Sequence, residues 1–264
     1  MHRNSPNMPI HARLALAFCM AIFCSLTLPA LADSHSASHS GKPTVLITGA
    51  NRGLGLEFAR QYVAAGWAVI ATARNPATAT ELSALDVKVL PLDVTQRDSI
   101  ASLASALNGR GIDMLINNAG IFPRVNTLSE IDANDYERTL MVNTLGPALV
   151  TQALLENLRK GENKRIINIT SQLASIENNG GRFYGYRESK AALNMFTKTL
   201  GAELGPEGFI ALAIHPGWVR TDMGGPSANL SPEESVTGMR AVIDNVTAEH
   251  NGTYHDYNGN QVPW

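Results

Sequence analysis

The sequence predicts an α/β protein built on one doubly wound parallel β-sheet with helices on both faces. Three observations predict it. From Thr44 onward, short apolar runs alternate with stretches of helical spacing. Several of these runs, such as Val45-Leu46-Ile47, are continuously apolar, as strands covered on both faces are. Polar and glycine-rich segments recur just past the strand ends, where such sheets bind ligands. The chain has 264 residues, 44% of them hydrophobic, which suffices for one large domain, and no internal repeat or second domain is evident. A formal charge of −2 leaves no electrostatic footprint for nucleic acid.

The first 32 residues differ from the rest. Arg3, His11 and Arg13 form a weakly basic opening, Leu14 to Leu28 is an apolar run, and Ala30-Leu31-Ala32 fits a small-x-small cleavage site. The run has 15 residues, too few for a membrane span, so residues 1–32 read as a secretory signal peptide cut before Asp33. An uncleaved anchor or a mis-chosen start codon is the alternative. The expected mature chain has no stable membrane span. It also lacks both cysteines, Cys19 and Cys24, and hence any disulfide. Residues 33–43 are small and polar and read as a flexible lead-in, with the globular domain over 44–264.

Within that domain the elements follow in order. Val45 to Ile47 is a strand, and Leu56 to Val63 a helix ending near Gly66. Trp67 to Ala73 is the second strand, Pro76 opens a short helix to about Leu85, and Val87 to Leu90 is the third strand. Ser99 to Leu107 has helical spacing, and Ile112 to Ile116 is the fourth strand. Asp132 to Leu158 is a long helical stretch, expected to bend at Gly146-Pro147. Arg165 to Ile169 is the fifth strand and Tyr186 to Leu204 a helix bounded by Gly205-Pro206. Phe209 to Ile214 is the sixth strand, Pro232 to about Val246 a helix, and Thr253 to His255 a last short strand.

Between the first strand and helix lies Thr48-Gly49-Ala50-Asn51-Arg52-Gly53-Leu54-Gly55. A glycine turn in that context binds phosphate. Gly49 allows the tight turn, Gly53 lets a pyrophosphate approach the backbone, and Gly55 lets the helix pack close. The helix N-terminus offers unpaired N–H groups to the anion. The competing reading is an ordinary βα turn, because the spacing is G-x-x-x-G-x-G. Asp93, Asn117 to Gly120, Ser171 and Pro216-Gly217 each follow a strand; taken singly, each reads as a turn residue. Tyr186 and Lys190 share one helix face at i and i+4. A nearby ammonium lowers a phenol pKa, which suits proton transfer to or from a carbonyl or alcohol oxygen. A surface helix with one aromatic and one charge is the bland reading of that pair.

Together these segments resemble the short-chain dehydrogenase/reductases from about Thr44 to the C-terminus. Thr48 to Gly55 matches T-G-x-x-x-G-x-G, Asn117-Asn118-Ala119-Gly120 matches N-N-A-G, and Asn143 to Gly146 matches N-x-x-G. Ser171 follows the fifth strand, and Tyr186 to Lys190 gives Y-x-x-x-K. The segments Tyr184 to Met195, His215 to Gly225 and the ending Asp256 to Gly259 with Pro263-Trp264 are similar to the sniffer-like and C-factor-like carbonyl reductase branch. The resemblance implies a single Rossmann-type domain. It implies that Tyr186 is the general acid, that Lys190 lowers its pKa and holds the nicotinamide ribose, that Ser171 bonds the substrate oxygen, and that Asn143 holds a relay water. Asn118, Ala119 and Gly120 are expected along the adenosine side, with Asp93 near the adenine. Gly49, Asn51, Arg52, Gly53, Leu54 and Gly55 form the phosphate turn, and Pro216, Gly217, Val219 and Thr221 border the nicotinamide. Tyr184 competes for the catalytic role, but Glu188 stands four positions on. Thr170 is a second hydroxyl beside Ser171.

NAD-binding versions place a carboxylate at the end of the second strand. Here that position is Ala73, followed by Arg74, whose fork suits a 2′-phosphate, and Arg52 adds charge in the turn. The expected cofactor is therefore NADP(H), with a small-molecule carbonyl or alcohol as substrate. No metal-ligand spacing appears, and His215 reads as structural. Asn178 to Gly181 and Gly224 to Leu230 are expected to shape the substrate pocket. The lead expectation is an exported NADP(H)-dependent carbonyl reductase or alcohol dehydrogenase. The alternatives are an exported signalling or binding protein on the same fold, which the C-factor resemblance suggests, and a cytoplasmic enzyme whose signal is unused. Oligomeric state stays open.

Overall fold

The computed structural model describes residues 41–264. The expected signal peptide, its two cysteines and residues 33–40 of the lead-in lie outside the described residues.

Seven strands form one parallel sheet: β1 (Thr44–Ile47), β2 (Ala68–Ala73), β3 (Val87–Pro91), β4 (Met114–Asn117), β5 (Arg165–Ile169), β6 (Ile210–His215) and β7 (Thr253–Asp256). Their spatial order is β3-β2-β1-β4-β5-β6-β7. The chain winds outward from β1 to β3, then returns to the other side of β1 and winds the opposite way. Val45 accordingly sits beside Val69 on one flank and Met114 on the other. Reversal at β1 and β4 opens a crevice beyond their carboxyl ends, which is where ligands bind in such sheets.

The helices are α1 (Gly53–Ala64), α2 (Thr80–Ser83), α3 (Arg97–Leu107), α4 (Ala133–Leu140), α5 (Gly146–Ala153), α6 (Leu155–Arg159), α7 (Tyr186–Leu204) and α8 (Pro232–Asp244). Strand alternation divides the core into two layers. Val45 and Ile47 join Phe58 and Tyr62 of α1 and Val236, Met239 and Ile243 of α8. Leu46 points the other way, to Ile100 and Leu103 of α3, Val150 of α5 and Leu200 of α7. Each such side chain contributes about 1.5–3 kcal/mol on burial, so the continuous apolar runs follow from two-sided cover. Helix α8 starts sharply because Ser231 and Glu234 form a reciprocal cap: the Glu234 amide donates to Ser231 Oγ at 3.1 Å and the Ser231 amide to Glu234 Oε2 at 2.7 Å.

Three helical expectations need correction. The stretch 132–158 is interrupted ahead of Gly146-Pro147, by a π turn at Met141–Leu145, and again at Leu154 between α5 and α6. The π turn is stabilised by what Asn143 binds, described below. Gly146 still matters, because a Cβ there would lie 3.0 Å from Val94, so α5 packs closely on the segment after β3. The helix expected over 76–85 is a 3₁₀ turn, Pro76–Thr78, followed by the single turn of α2. Asn75 caps the first piece through Oδ1, which accepts from the Ala77 amide at 3.2 Å. The last helix ends at Asp244, two residues short of Val246.

Helix α1 can enter the crevice only because Gly55 has no side chain. A Cβ there would lie 2.4 Å from the Gly49 carbonyl oxygen and 2.5 Å from Asn118 Nδ2. Both neighbours are held in place, so Gly55→Ala is expected to cost about 1–3 kcal/mol by overpacking and to lower Tm by roughly 2–12 °C. Thermal unfolding of the purified variant checks this; an unchanged Tm would mean that the turn yields freely.

Candidate active site

The crevice is a cleft of about 770 Å³ running from the glycine turn to Tyr186 and Lys190. Its first wall is the turn after β1. Thr48 Oγ1 accepts from the amides of Asn118 and Ala119, each at 3.0 Å. Asn118 Nδ2 donates back to the carbonyls of Thr48 and Gly49, at 2.9 and 3.0 Å. The ends of β1 and β4 are thereby tied through four hydrogen bonds. Gly49 and Gly53 take φ of +64° and +54°, which favours glycine at both. Gly49 also faces Ala119, whose Cα would be 3.0 Å from a Cβ. Backbone therefore meets the cleft where side chains would fill it, as a dinucleotide pyrophosphate requires. Asn51, Arg52, Gly53 and Leu54 line this end of the cleft with Asn118, Ala119 and Gly120.

Four arginines, Arg52, Arg60, Arg74 and Arg138, line the end next to β2 and β3. Arg52 is paired across the mouth with Asp222 at 2.9 Å, both largely exposed. Arg60 is paired with Glu57 and Glu81. Arg74 and Arg138 form no ion pair among the described residues. Between them lies Asp93. Partial burial raises its pKa, but Thr95 donates to Oδ1 from its amide (2.9 Å) and hydroxyl (2.7 Å). With the charges of Arg74 and Arg138, these bonds hold the carboxyl below its usual range.

The other end is built on α7. Gly185, at φ +77°, turns the chain so that Tyr186 is the first residue of the helix. Tyr186 and Lys190, one turn apart, are both buried and both line the cleft. Lys190 Nζ donates to the Ile169 carbonyl at 2.8 Å, and burial pulls its pKa down to about 8. Burial raises the Tyr186 pKa, and a hydrogen bond from the Ser171 hydroxyl opposes the rise. Thr170 also lines the cleft, with Oγ1 at 3.5 Å from the Lys190 carbonyl. Tyr184 faces away, into a small depression with Pro123 and Tyr136.

Asn143 lies beneath the cleft, fully buried in the π turn. Its Oδ1 accepts from the Ile121 amide at 2.9 Å. Its Nδ2 donates to the Ile121 carbonyl at 2.9 Å and to Ser189 Oγ at 3.0 Å. Ser189 Oγ in turn donates to the Tyr186 carbonyl at 2.8 Å. Asn143 therefore couples the loop after β4 to the first turn of α7, and both of its amide protons are committed. Pro216 and Thr221 line the cleft, whereas Gly217 and Val219 shape the loop behind it. A Cβ on Gly217 would be 2.5 Å from Leu230 and 3.0 Å from Tyr257, and buried Val219 bridges to Leu230. The rim of the cleft on this loop is Asp222 and Met223, ahead of the segment 224–230 that the sequence suggested.

Sequence reasoning missed Phe122 and Phe183. The Phe122 ring packs 4.4 Å from the Tyr186 ring, and Phe183 packs 5.3 Å from Phe122. No periodicity marks either one, since both sit in loops. Arg138 was missed because nothing in α4 separates it from a solvated helix charge.

Cradle, paired hydroxyls and buried lysine define a nucleotide-binding oxidoreductase architecture. The comparisons agree. The short chain dehydrogenase family matches residues 43–230, and the chain belongs to that family. It is similar to a carbonyl reductase from chicken fatty liver, solved with NADPH bound, at 36% identity and a TM-score of 0.80 over 85% of this chain and 100% of that one. The carbonyl reductase Sniffer of D. melanogaster is 33% identical, with a TM-score of 0.80, over 84% of this chain and 100% of its own. The C-signal protein of Myxococcus xanthus is 47% identical over 154 residues, 58% of this chain and 93% of that one.

His215 ends β6 beside the site. Its Nδ1 accepts the Gly217 amide at 2.9 Å, so the ring is held neutral, and burial lowers its pKa from 6.5 to about 4 against the opposing charge of Asp256. Between those values the unfolded chain binds a proton that the native state refuses. Stability is therefore complete above pH 6.5 and lost as pH falls toward 4, a loss of about 3 kcal/mol. Denaturant titrations at pH 7 and pH 4.5 should show a smaller loss for His215→Gln than for the wild type. Equal losses would remove His215 as a source of acid sensitivity.

Proposed function

We propose that this protein is an NADP(H)-dependent oxidoreductase that interconverts carbonyl compounds and alcohols. The observation that carries the reading is the pair Tyr186 and Lys190, buried one helical turn apart and both lining a cleft whose other end is floored by glycines. Gly49, Gly53 and Gly120 leave the backbone bare for the dinucleotide, and Asn118 and Ala119 flank it. Arg74, standing where a ribose-binding carboxylate would be, supports a 2′-phosphate and hence NADP(H). The chicken liver relative, named as NADPH-bound, supports the same choice.

In carbonyl reduction a bound reduced nicotinamide supplies hydride to the carbonyl carbon. The π electron pair moves to oxygen, and Tyr186 Oη gives that oxygen its proton. Ser171 orients the oxygen and shares the phenol's hydrogen bond. Lys190 keeps a titratable ammonium buried beside the phenol, where a phenolate left by the transfer is stabilised. Asn143 fixes this group's height above the sheet through Ser189 and Ile121.

A second reading has one observation in its favour, the similarity to a protein named C-signal. It is a signalling or binding role on the same fold. Export fits either reading and rests on residues 1–32; an unprocessed N-terminus in the cytoplasmic fraction would remove it.

Tyr186→Phe is expected to cut NADPH-dependent carbonyl reduction by about 10²–10⁴-fold while NADPH binding, followed by fluorescence, persists. Retained activity would overturn the assignment of the acid, and no reduction of any carbonyl by the wild type would favour the binding role. Arg74→Asp is expected to abolish the preference for NADPH over NADH. Survival of that preference in the ratio of kcat/KM values would place the 2′-phosphate elsewhere.

A further inference from the structure

Next to Tyr186 and Met223, which line the cleft, the loops just outside it carry aromatic rings and unpaired positive charge together. Phe122 lies against the Tyr186 ring and Phe183 against Phe122. Arg124 stands 5.8 Å over the Phe122 ring, and Arg182 stands 5.5 Å over Phe183. Neither guanidinium is within ion-pair distance of a carboxylate among the described residues. Arg182 does feel the charge of Glu130, but that carboxylate is taken by the amides of Asn126 (2.7 Å) and Thr127 (3.2 Å). Arg124 gives one N–H to the Met223 carbonyl at 3.0 Å, and Arg182 gives one to Asn126 Oδ1 at 3.2 Å. A guanidinium carries five donors, so each keeps N–H groups free beside the rings. Arg124 also reaches the rim residue Met223, which puts its charge at the cleft's mouth.

The backbone here is held in a costly form. Arg182 and Phe183 are consecutive non-glycine residues at φ +62° and +60°. Arg187, one residue past Tyr186, secures them by donating Nε to the carbonyls of Gly181 (2.9 Å) and Arg182 (3.0 Å). Its Nη1 donates to Leu173 at 3.2 Å, tying this turn to the segment after Ser171. The strained turn sets Phe183 beside Phe122 with Arg182 above it.

We infer that the substrate is an aromatic carbonyl compound bearing an anionic group, with the ring against Phe122 and Phe183 and the anion at Arg124 and Arg182. The inference rests on the reductase reading above. Aromatic faces bind a flat apolar body, and a planar fork binds a carboxylate bidentately. Arg187 is a positioning residue for these rings, since its Nε and Nη1 hold the backbone of the turn while its guanidinium stands 6.0 Å over Phe183.

The test compares 4-carboxybenzaldehyde with its methyl ester, the same aldehyde without the charge, each with NADPH. The ratio of kcat/KM, acid over ester, is expected to be about tenfold, the worth of one charge-assisted hydrogen bond. It should fall toward one with added salt and in both Arg124→Gln and Arg182→Gln. The ratio is taken within one preparation, so partial loss of folded enzyme cancels. A wild-type ratio of one or less, or a ratio that neither substitution changes, overturns the anionic substrate and leaves the reductase reading intact. An equal rise of the NADPH KM with both aldehydes and no change in ratio would give the arginines to the nucleotide and overturn the anionic substrate in the same way. Reduction of neither aldehyde, where another carbonyl is reduced, overturns this inference alone; the reductase reading falls only if no carbonyl is reduced.

Discussion

The cross-tie between Thr48 and Asn118 is the interaction on which the rest of the site depends. It joins the ends of β1 and β4, the two strands between which the winding reverses. Any open parallel sheet of this order has a crevice there. What the tie adds is a fixed shape: the carbonyls of Thr48 and Gly49 are held by the Asn118 side-chain amide, and the Thr48 and Ala50 amides are taken by the carbonyls of Ile116 and Thr72. Asn118 thus serves the cofactor side by holding the backbone, a role that lining the cleft alone does not describe.

Burial of polar groups is the recurring cost in this molecule, and the structure meets most of it by pairing, with both polar atoms of buried Asn194 the main exception among the described residues. An unpaired buried amide or hydroxyl costs on the order of 1–3 kcal/mol. Asn117 Nδ2 donates to Thr151 and Asn168, and Asn168 donates to Thr197, which binds strands β4 and β5 to α5 and α7. Asn143 does the same between the π turn, the loop after β4 and Ser189. Among the described residues the buried Lys190 ammonium is hydrogen-bonded by the Ile169 carbonyl alone, and burial lowers its pKa to about 8. The cleft thus holds a buried ammonium whose pKa burial has shifted, and such perturbed groups cluster at functional positions.

Rigid and adaptable parts are separated. Tyr186, Lys190 and the glycine turn stand on strand ends and helix starts. Phe122, Arg124, Phe183, Met223 and Asp222 stand on loops, cross-linked by single hydrogen bonds or an exposed ion pair between Arg52 and Asp222. Exposed pairs of that kind are worth at most about 1 kcal/mol. The groups on strand ends and helix starts are thus preorganised, and the loop residues at the cleft's mouth are the more easily altered.

Amphipathic alternation and glycine spacing determined the order and type of nearly every element. They are local signals, set by side-chain period and backbone sterics within a few residues. Helix α7 was legible from Tyr186 to Leu204, and so were the glycine turn and the Y-x-x-x-K pair. Tertiary structure alone decided the rest. Asn143, in the π turn, accepts from the Ile121 amide and donates to the Ile121 carbonyl, 22 residues away. Ser171, 15 residues before Tyr186, opposes the rise that burial imposes on the phenol, and the Lys190 ammonium reaches back across 21 residues to the Ile169 carbonyl. Phe122 and Phe183, in separate loops far apart in the chain, meet only when Asn143 and Arg187 pin those loops to α7. Contacts between distant segments leave no period in a sequence, so that wall of the site belongs to the fold.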